Sequence, residues 1–123
     1  MIHHVALETR REDVGEAERF WALLGFARVD PPAPLRDRAV WLEREGTQVH
    51  LMYADAGTGT GPAPASGHVA VVAPDYEATL ARLRGAGFDP EPRREHWGAP
   101  RCFVRSPDGH RVEVMSRPPG AAA

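Results

Sequence analysis

The chain repeats itself, and that duplication limits its possible folds more than any other feature. His4-Val5-Ala6-Leu7 returns as His68-Val69-Ala70-Val71, and Leu24-Gly25-Phe26 returns as Ala86-Gly87-Phe88. Gly46-Thr47-Gln48-Val49-His50-Leu51-Met52 returns as Gly109-His110-Arg111-Val112-Glu113-Val114-Met115. The order is kept, and so is the spacing: 46 residues from His4 to His50, 45 from His68 to Glu113. Ordered matches at one spacing mark a repeated supersecondary unit. The chain therefore reads as one domain over 1–116, built from a module at 2–53 and a second at 67–116. A module of this size buries little surface alone, so each half should depend on the other or on a partner chain. Between them, 54–66 crowds Gly57, Gly59, Gly61, Pro62 and Pro64 without any apolar period and reads as a linker. Residues 117–123 read as a flexible tail.

Each module opens with a strand, at 2–8 and 68–73, rich in Val, Ala and Leu. A helix follows. Val14, Ala17, Phe20, Trp21 and Leu24 recur at helical spacing ahead of Gly25, a residue suited to a left-handed cap. In the second copy Pro74-Asp75 signals the start, Tyr76, Leu80 and Leu83 form the stripe, and Gly87 ends it. Three short strands complete each module. The clearest are 39–44 with 48–53, turning at Glu45-Gly46, and 101–105 with 111–116, turning at Pro107-Asp108-Gly109. Shorter strands are expected to start at Phe26 and Phe88. The expected class is α+β, as βαβββ twice.

Side chains alternate across a strand, so each strand has assignable faces. Val5 and Leu7 oppose His4. Val49 and Leu51 oppose Gln48, His50 and Met52. Val69 and Val71 oppose His68, and Val112 and Val114 oppose Arg111, Glu113 and Met115. Four times, a potential metal ligand lies on the face away from the residues that should meet the helix. His4 with His50, and His68 with Glu113, occupy equivalent places in the two copies. Three neutral imidazoles and one carboxylate suit Zn, Ni, Fe, Mn or Co better than Ca, which needs more oxygen. One divalent ion held by His4, His50, His68 and Glu113 is the expectation. His3 should face away from this site, and His110 lies in a turn.

A net charge of −2 gives no reason to expect nucleic acid or an anionic membrane as partner. The single Cys102 excludes an internal disulfide, and its apolar neighbours suggest a buried, inert thiol. No apolar run approaches the length of a membrane span and no signal peptide is evident, so a cytoplasmic protein is expected.

The opening Ile2-His3-His4-Val5-Ala6-Leu7, the stretch Glu18-Arg19-Phe20-Trp21 with Leu24-Gly25-Phe26, and Ser106-Pro107-Asp108-Gly109-His110-Arg111-Val112-Glu113-Val114 carry a family resemblance. The chain resembles the vicinal oxygen chelate superfamily, which includes glyoxalase I, bleomycin-resistance proteins, epimerases and extradiol dioxygenases. The last stretch is similar to that superfamily's DPDG-x-x-x-E-L ending, with Ser106 at the first Asp. The resemblance implies that the modules form a half-barrel, that small members pair as homodimers, and that His4, His50, His68 and Glu113 fall on the metal positions. His50 departs from the glyoxalase I pattern, which has a carboxylate there; members with three ligands match His4, His68 and Glu113.

Fold alone does not give function. With a divalent ion polarising two adjacent substrate oxygens, Glu113 could act as general base. That points to a glyoxalase- or epimerase-like lyase or isomerase. An Fe(II) extradiol-type dioxygenase and a non-catalytic, bleomycin-resistance-like binding protein are the alternatives. Met52 and Met115 follow the ligands on the same face and would form adaptable walls. Trp41, His96, Trp97 and Arg101 are candidates for the pocket mouth, with Arg101 suited to an anionic substrate group.

Overall fold

A computed structural model describes residues 1–54 and 67–120. The chain divides into two compact units, Met1–Pro62 and Ala63–Ala123. The expected linker at 54–66 lies, beyond Ala54, outside the described residues, as does the tail beyond Gly120.

The first unit contains β1 (His4–Thr9), α1 (Val14–Leu23), β2 (Ala27–Val29), β3 (Ala39–Arg44) and β4 (Thr47–Tyr53). The second contains β5 (Val69–Val72), α2 (Tyr76–Gly85), β6 (Glu91–Pro92), β7 (Arg101–Arg105) and β8 (Arg111–Met115). The sheet orders are β1-β4-β3-β2 and β5-β8-β7-β6. In each unit the first strand pairs in parallel with the last, and the remaining pairs are antiparallel. These are two βαβββ modules with one topology. Two short 3-10 turns, Arg11–Asp13 and Ala33–Leu35, were not signalled by the sequence. The short strands β2 and β6 begin one and three residues after the expected Phe26 and Phe88.

Both helices stop by the same device. Phe26 N donates to Trp21 O and Gly25 N to Ala22 O; Phe88 N donates to Leu83 O and Gly87 N to Arg84 O. Gly25 and Gly87 take φ of 91° and 92°, which completes the left-handed cap that glycine adopts without a side-chain penalty. At the start of α2, Asp75 does not cap a backbone N–H as expected. Its carboxylate instead accepts from Thr79 Oγ1 at 3.0 Å and Arg82 Nη2 at 2.8 Å.

In the first core Ala17, Phe20 and Trp21 of α1 are fully buried, and Val40, Leu42, Val49 and Leu51 are buried with them. The register pairs Val40 with Leu51 and Leu42 with Val49, so these four share one sheet face. In the second core Tyr76, Thr79, Leu80 and Leu83 of α2 are buried, as are Cys102, Val104, Val112 and Val114, again paired across strands. Burial pushes the Cys102 thiol above its usual range. This is the inert cysteine the sequence suggested.

Candidate functional site

The opposite faces of the two sheets carry the candidate ligands. β4 and β8 each have a neighbour on both sides, whereas β1 and β5 end their sheets. His50 on β4 and Glu113 on β8 are accordingly buried, at 5% and 6% exposure. His4, at the start of β1, and His68, immediately before β5, remain open to solvent.

In the first unit the rings of His4 and His50 stack with centroids 4.0 Å apart and an interplanar angle of 17°. Trp41, directly across from His50 on β3, stacks on its other face at 3.9 Å and 2°. His50 Nε2 lies 2.7 Å from Gln48 Oε1, and Gln48 Nε2 donates to Glu43 Oε1 at 2.9 Å. Burial, then the neighbouring His4 and His3, hold His50 below its ordinary value of 6.5, so its neutral form is favoured. His3 does not face away as expected. Its Nδ1 lies 3.0 Å from His4 Nδ1 and the two rings meet edge to face, while its carbonyl accepts from Gln48 N at 2.9 Å.

In the second unit His68 Nε2 lies 3.1 Å from Glu113 Oε1. Arg101 Nη1 lies 3.3 Å from Glu113 Oε2, and Arg101 Nε donates to Arg94 O at 2.8 Å. Arg101 was a candidate for holding a substrate anion; here its guanidinium is committed to Glu113. The register places Phe103 opposite Glu113, as Trp41 is placed opposite His50. Phe103 was not singled out in the sequence. Its distance of ten residues from Glu113, against nine between Trp41 and His50, was the signal available. His68 meets the Phe103 ring at 5.4 Å, and the guanidinium groups of Arg93, Arg101 and Arg111 lie 5.3 to 5.5 Å from its centre. Beside it is a cavity of about 430 Å³ lined by Phe88 and Phe103, by Arg93, Arg105 and Arg111, and by Glu91.

The turn before β8 sets where Glu113 falls. Ser106 Oγ bonds the Asp108 carboxylate and accepts from His110 N at 3.0 Å, while Gly109 turns with φ of 91°. Ser106 thus performs, with a hydroxyl, a turn-closing role. Met52 and Met115 lie at the far ends of β4 and β8. Trp97 is tied to the following segment by its Nε1 donating to Arg117 O at 3.0 Å, and His96 is exposed in the bend before it.

Imidazole and carboxylate donors are brought together as pairs within each unit, and this donor chemistry fits a divalent transition ion. Within either unit, no three His, Cys, Asp or Glu side chains gather at metal-binding distance among the described residues.

A family profile described as Glyoxalase/Bleomycin resistance protein/Dioxygenase superfamily matches residues 1–114. The chain belongs to this superfamily. No curated protein sequence matches it. Among solved structures, a glyoxalase family protein from Bacillus anthracis aligns with a TM-score of 0.80 and 21% identity, covering 94% of this chain and 93% of that one. Lactoylglutathione lyase from Agrobacterium tumefaciens gives 0.64 and 20%, over 94% and 92%. TnmS3, an antibiotic binding protein from Streptomyces sp. CB03234, gives 0.68 and 18%, over 94% and 93%. At these identities the likeness is one of fold, and the fold serves both a lyase and a binding protein. No helix among the described residues is long and apolar enough to cross a membrane.

Proposed function

We propose that this chain is a divalent-metal-dependent vicinal oxygen chelate enzyme, a glyoxalase- or epimerase-like lyase or isomerase. Its substrate is a small molecule offering two adjacent oxygens. The observation that carries this reading is the matched pairing: His4 against His50 in one module, and His68 against Glu113 in the other, at equivalent places in the repeat. His4, His50, His68 and Glu113 would hold the ion, drawn from one chain or from two copies in a homodimer.

When bound, a divalent ion polarises substrate oxygens and stabilises negative charge that develops on them. The chain's own residues supply the rest. Glu113 accepts a proton as general base, with Oε1 beside His68 and Oε2 beside Arg101 orienting the carboxylate. Burial excludes water from that carboxylate. Phe103 offers a flat apolar surface next to it, and Arg93, Arg105 and Arg111 around the cavity favour a substrate with an anionic group.

Metal analysis and thermal melting test this directly. The expected result is one tightly bound ion per site, a higher Tm on adding Zn, Ni, Fe, Mn or Co, and a sedimenting mass near twice 13.5 kDa. Turnover of the hemithioacetal of methylglyoxal or of an acyl-CoA epimer would then name the reaction. Absence of both binding and stabilisation would overturn the metal reading.

One observation favours a second reading. Arg101 already neutralises Glu113, which suits a pocket that sequesters an organic ligand without metal. In that case Arg101→Met would weaken ligand binding. On the first reading it would strengthen metal binding.

A further inference from the structure

The hydrogen bonds of the β3–β4 hairpin decide which nitrogen of His50 is available. A carboxylate can only accept, so the group that Gln48 turns toward Glu43 must be its NH2. The other end of the same amide, Oε1, is then the one facing His50 Nε2 at 2.7 Å. An amide oxygen cannot donate, so the ring proton has to sit on Nε2. In a neutral imidazole this leaves Nδ1 unprotonated, with its lone pair in the ring plane. No hydrogen-bond partner of Nδ1 is found among the described residues. The ring cannot easily swing away, because Trp41 covers one face and His4 the other.

Local geometry builds the arrangement from three residues. Gln48 and His50 are two apart on β4 and so share a face, and Glu43 stands directly across from Gln48 on β3. The second module has no counterpart, since the position equivalent to Gln48 is Arg111, opposite Arg105.

We propose that Gln48, oriented by Glu43, is a positioning residue that holds His50 in its Nε2–H tautomer and presents Nδ1 as the lone pair offered to metal or substrate. Outer partners of this kind fix both the tautomer and the orientation of metal-binding histidines. The functional half of the statement rests on the reading that His50 belongs to the metal site; the tautomer half does not.

The test is long-range proton–nitrogen NMR on ¹⁵N-labelled full chain, with chelator present and at an alkaline pH where the imidazole is neutral. The native protein should show a protonated Nε2 and a bare Nδ1 for His50. Glu43→Lys is the decisive variant. A lysine there can only donate, so the Gln48 amide should turn over, present NH2 to His50, and move the ring proton to Nδ1. A residue that does not touch His50 would thus invert its tautomer, which a merely structural role would not do. An unchanged tautomer in folded Glu43→Lys, or Nδ1–H in the native chain, would overturn the proposal. Should Glu43→Lys not fold, Gln48→Leu decides: exchange of the Nε2 proton with solvent should speed up about tenfold, the effect of losing one hydrogen bond, and an unchanged rate would overturn it. Adding Zn²⁺ to the native chain separates the two readings. Movement of the Nδ1 signal with Nε2–H retained supports both, and loss of Nε2–H contradicts the Nδ1 assignment. Silence of every histidine ring removes the metal reading, while the tautomer stands or falls on the metal-free spectra.

Discussion

The two modules share a topology and a register, yet they secure their central ligand by different physics. His50 sits in a neutral sandwich between Trp41 and His4, with its proton directed into an amide. Glu113 sits between a histidine and a guanidinium, and only the latter carries a permanent charge. A buried neutral ring costs little to hold, because stacking and one hydrogen bond satisfy it. A buried carboxylate must be compensated by a cation, or its desolvation is uncompensated. Duplication preserved the scaffold, and the residue placed at one strand position decided what had to gather around it.

That contrast can be broken most sharply at Glu113. Glu113→Gln leaves the Arg101 side chain, only 12% exposed, without its carboxylate. Urea unfolding should show a loss of about 3 kcal/mol, against about 1 kcal/mol for His50→Gln, which loses stacking but strands no charge. Equal losses would mean that the ion pair is not what distinguishes the modules.

Arg101→Met tests the same pair from the other side. Removing the cation should raise the affinity for added Zn²⁺ several-fold in calorimetric titration, because Glu113 Oε2 is released. It should also lower stability by about 2 kcal/mol. An unchanged or weaker affinity would show that the guanidinium does not compete with metal.

Acid should act on the first module through His50. Its folded pKa lies below 6.5, so the unfolded chain binds the proton more readily, and this contribution to stability is lost as pH falls from above 6.5 through the lower folded value. Denaturation of the metal-free chain across that window should show the decline, and His50→Gln should flatten it. Persistence of the full slope in the variant would assign it elsewhere.

The smallest expected effect lies in the turns before β4 and β8. Glu45 takes a φ of 51°, a left-handed conformation that the two-residue turn requires and that a glutamate adopts at some cost. Glu45→Asn should raise stability by about 0.5 kcal/mol, read as a higher denaturation midpoint. The longer turn at Ser106–Gly109 already places glycine at its left-handed position and has no equivalent gain to make.

Much of this was legible in the sequence, because a strand's side-chain period of two is a local property. Alternation assigned Val49 and Leu51 to the helix side and His50 to the other, and the glycines at 25 and 87 end both helices with the expected cap. Alternation did not reveal that the second face would be buried as well. His50 and Glu113 are covered by residues from neighbouring strands, and only the strand order β1-β4-β3-β2 and its counterpart bring those neighbours alongside.

By itself, then, the sequence determined the duplication, the two helices, the main strands and the strand face that His50 and Glu113 share with Trp41 and Phe103, since all of these follow from chain-local geometry. Tertiary structure decided the partners. Arg101 reaches Glu113 rather than open solvent, His3 turns onto His4, and Gln48 bridges Glu43 to His50. Such choices depend on strand register and on where long, rotatable side chains find an opposite charge or a matching donor. Neither is encoded in the spacing of residues along one strand.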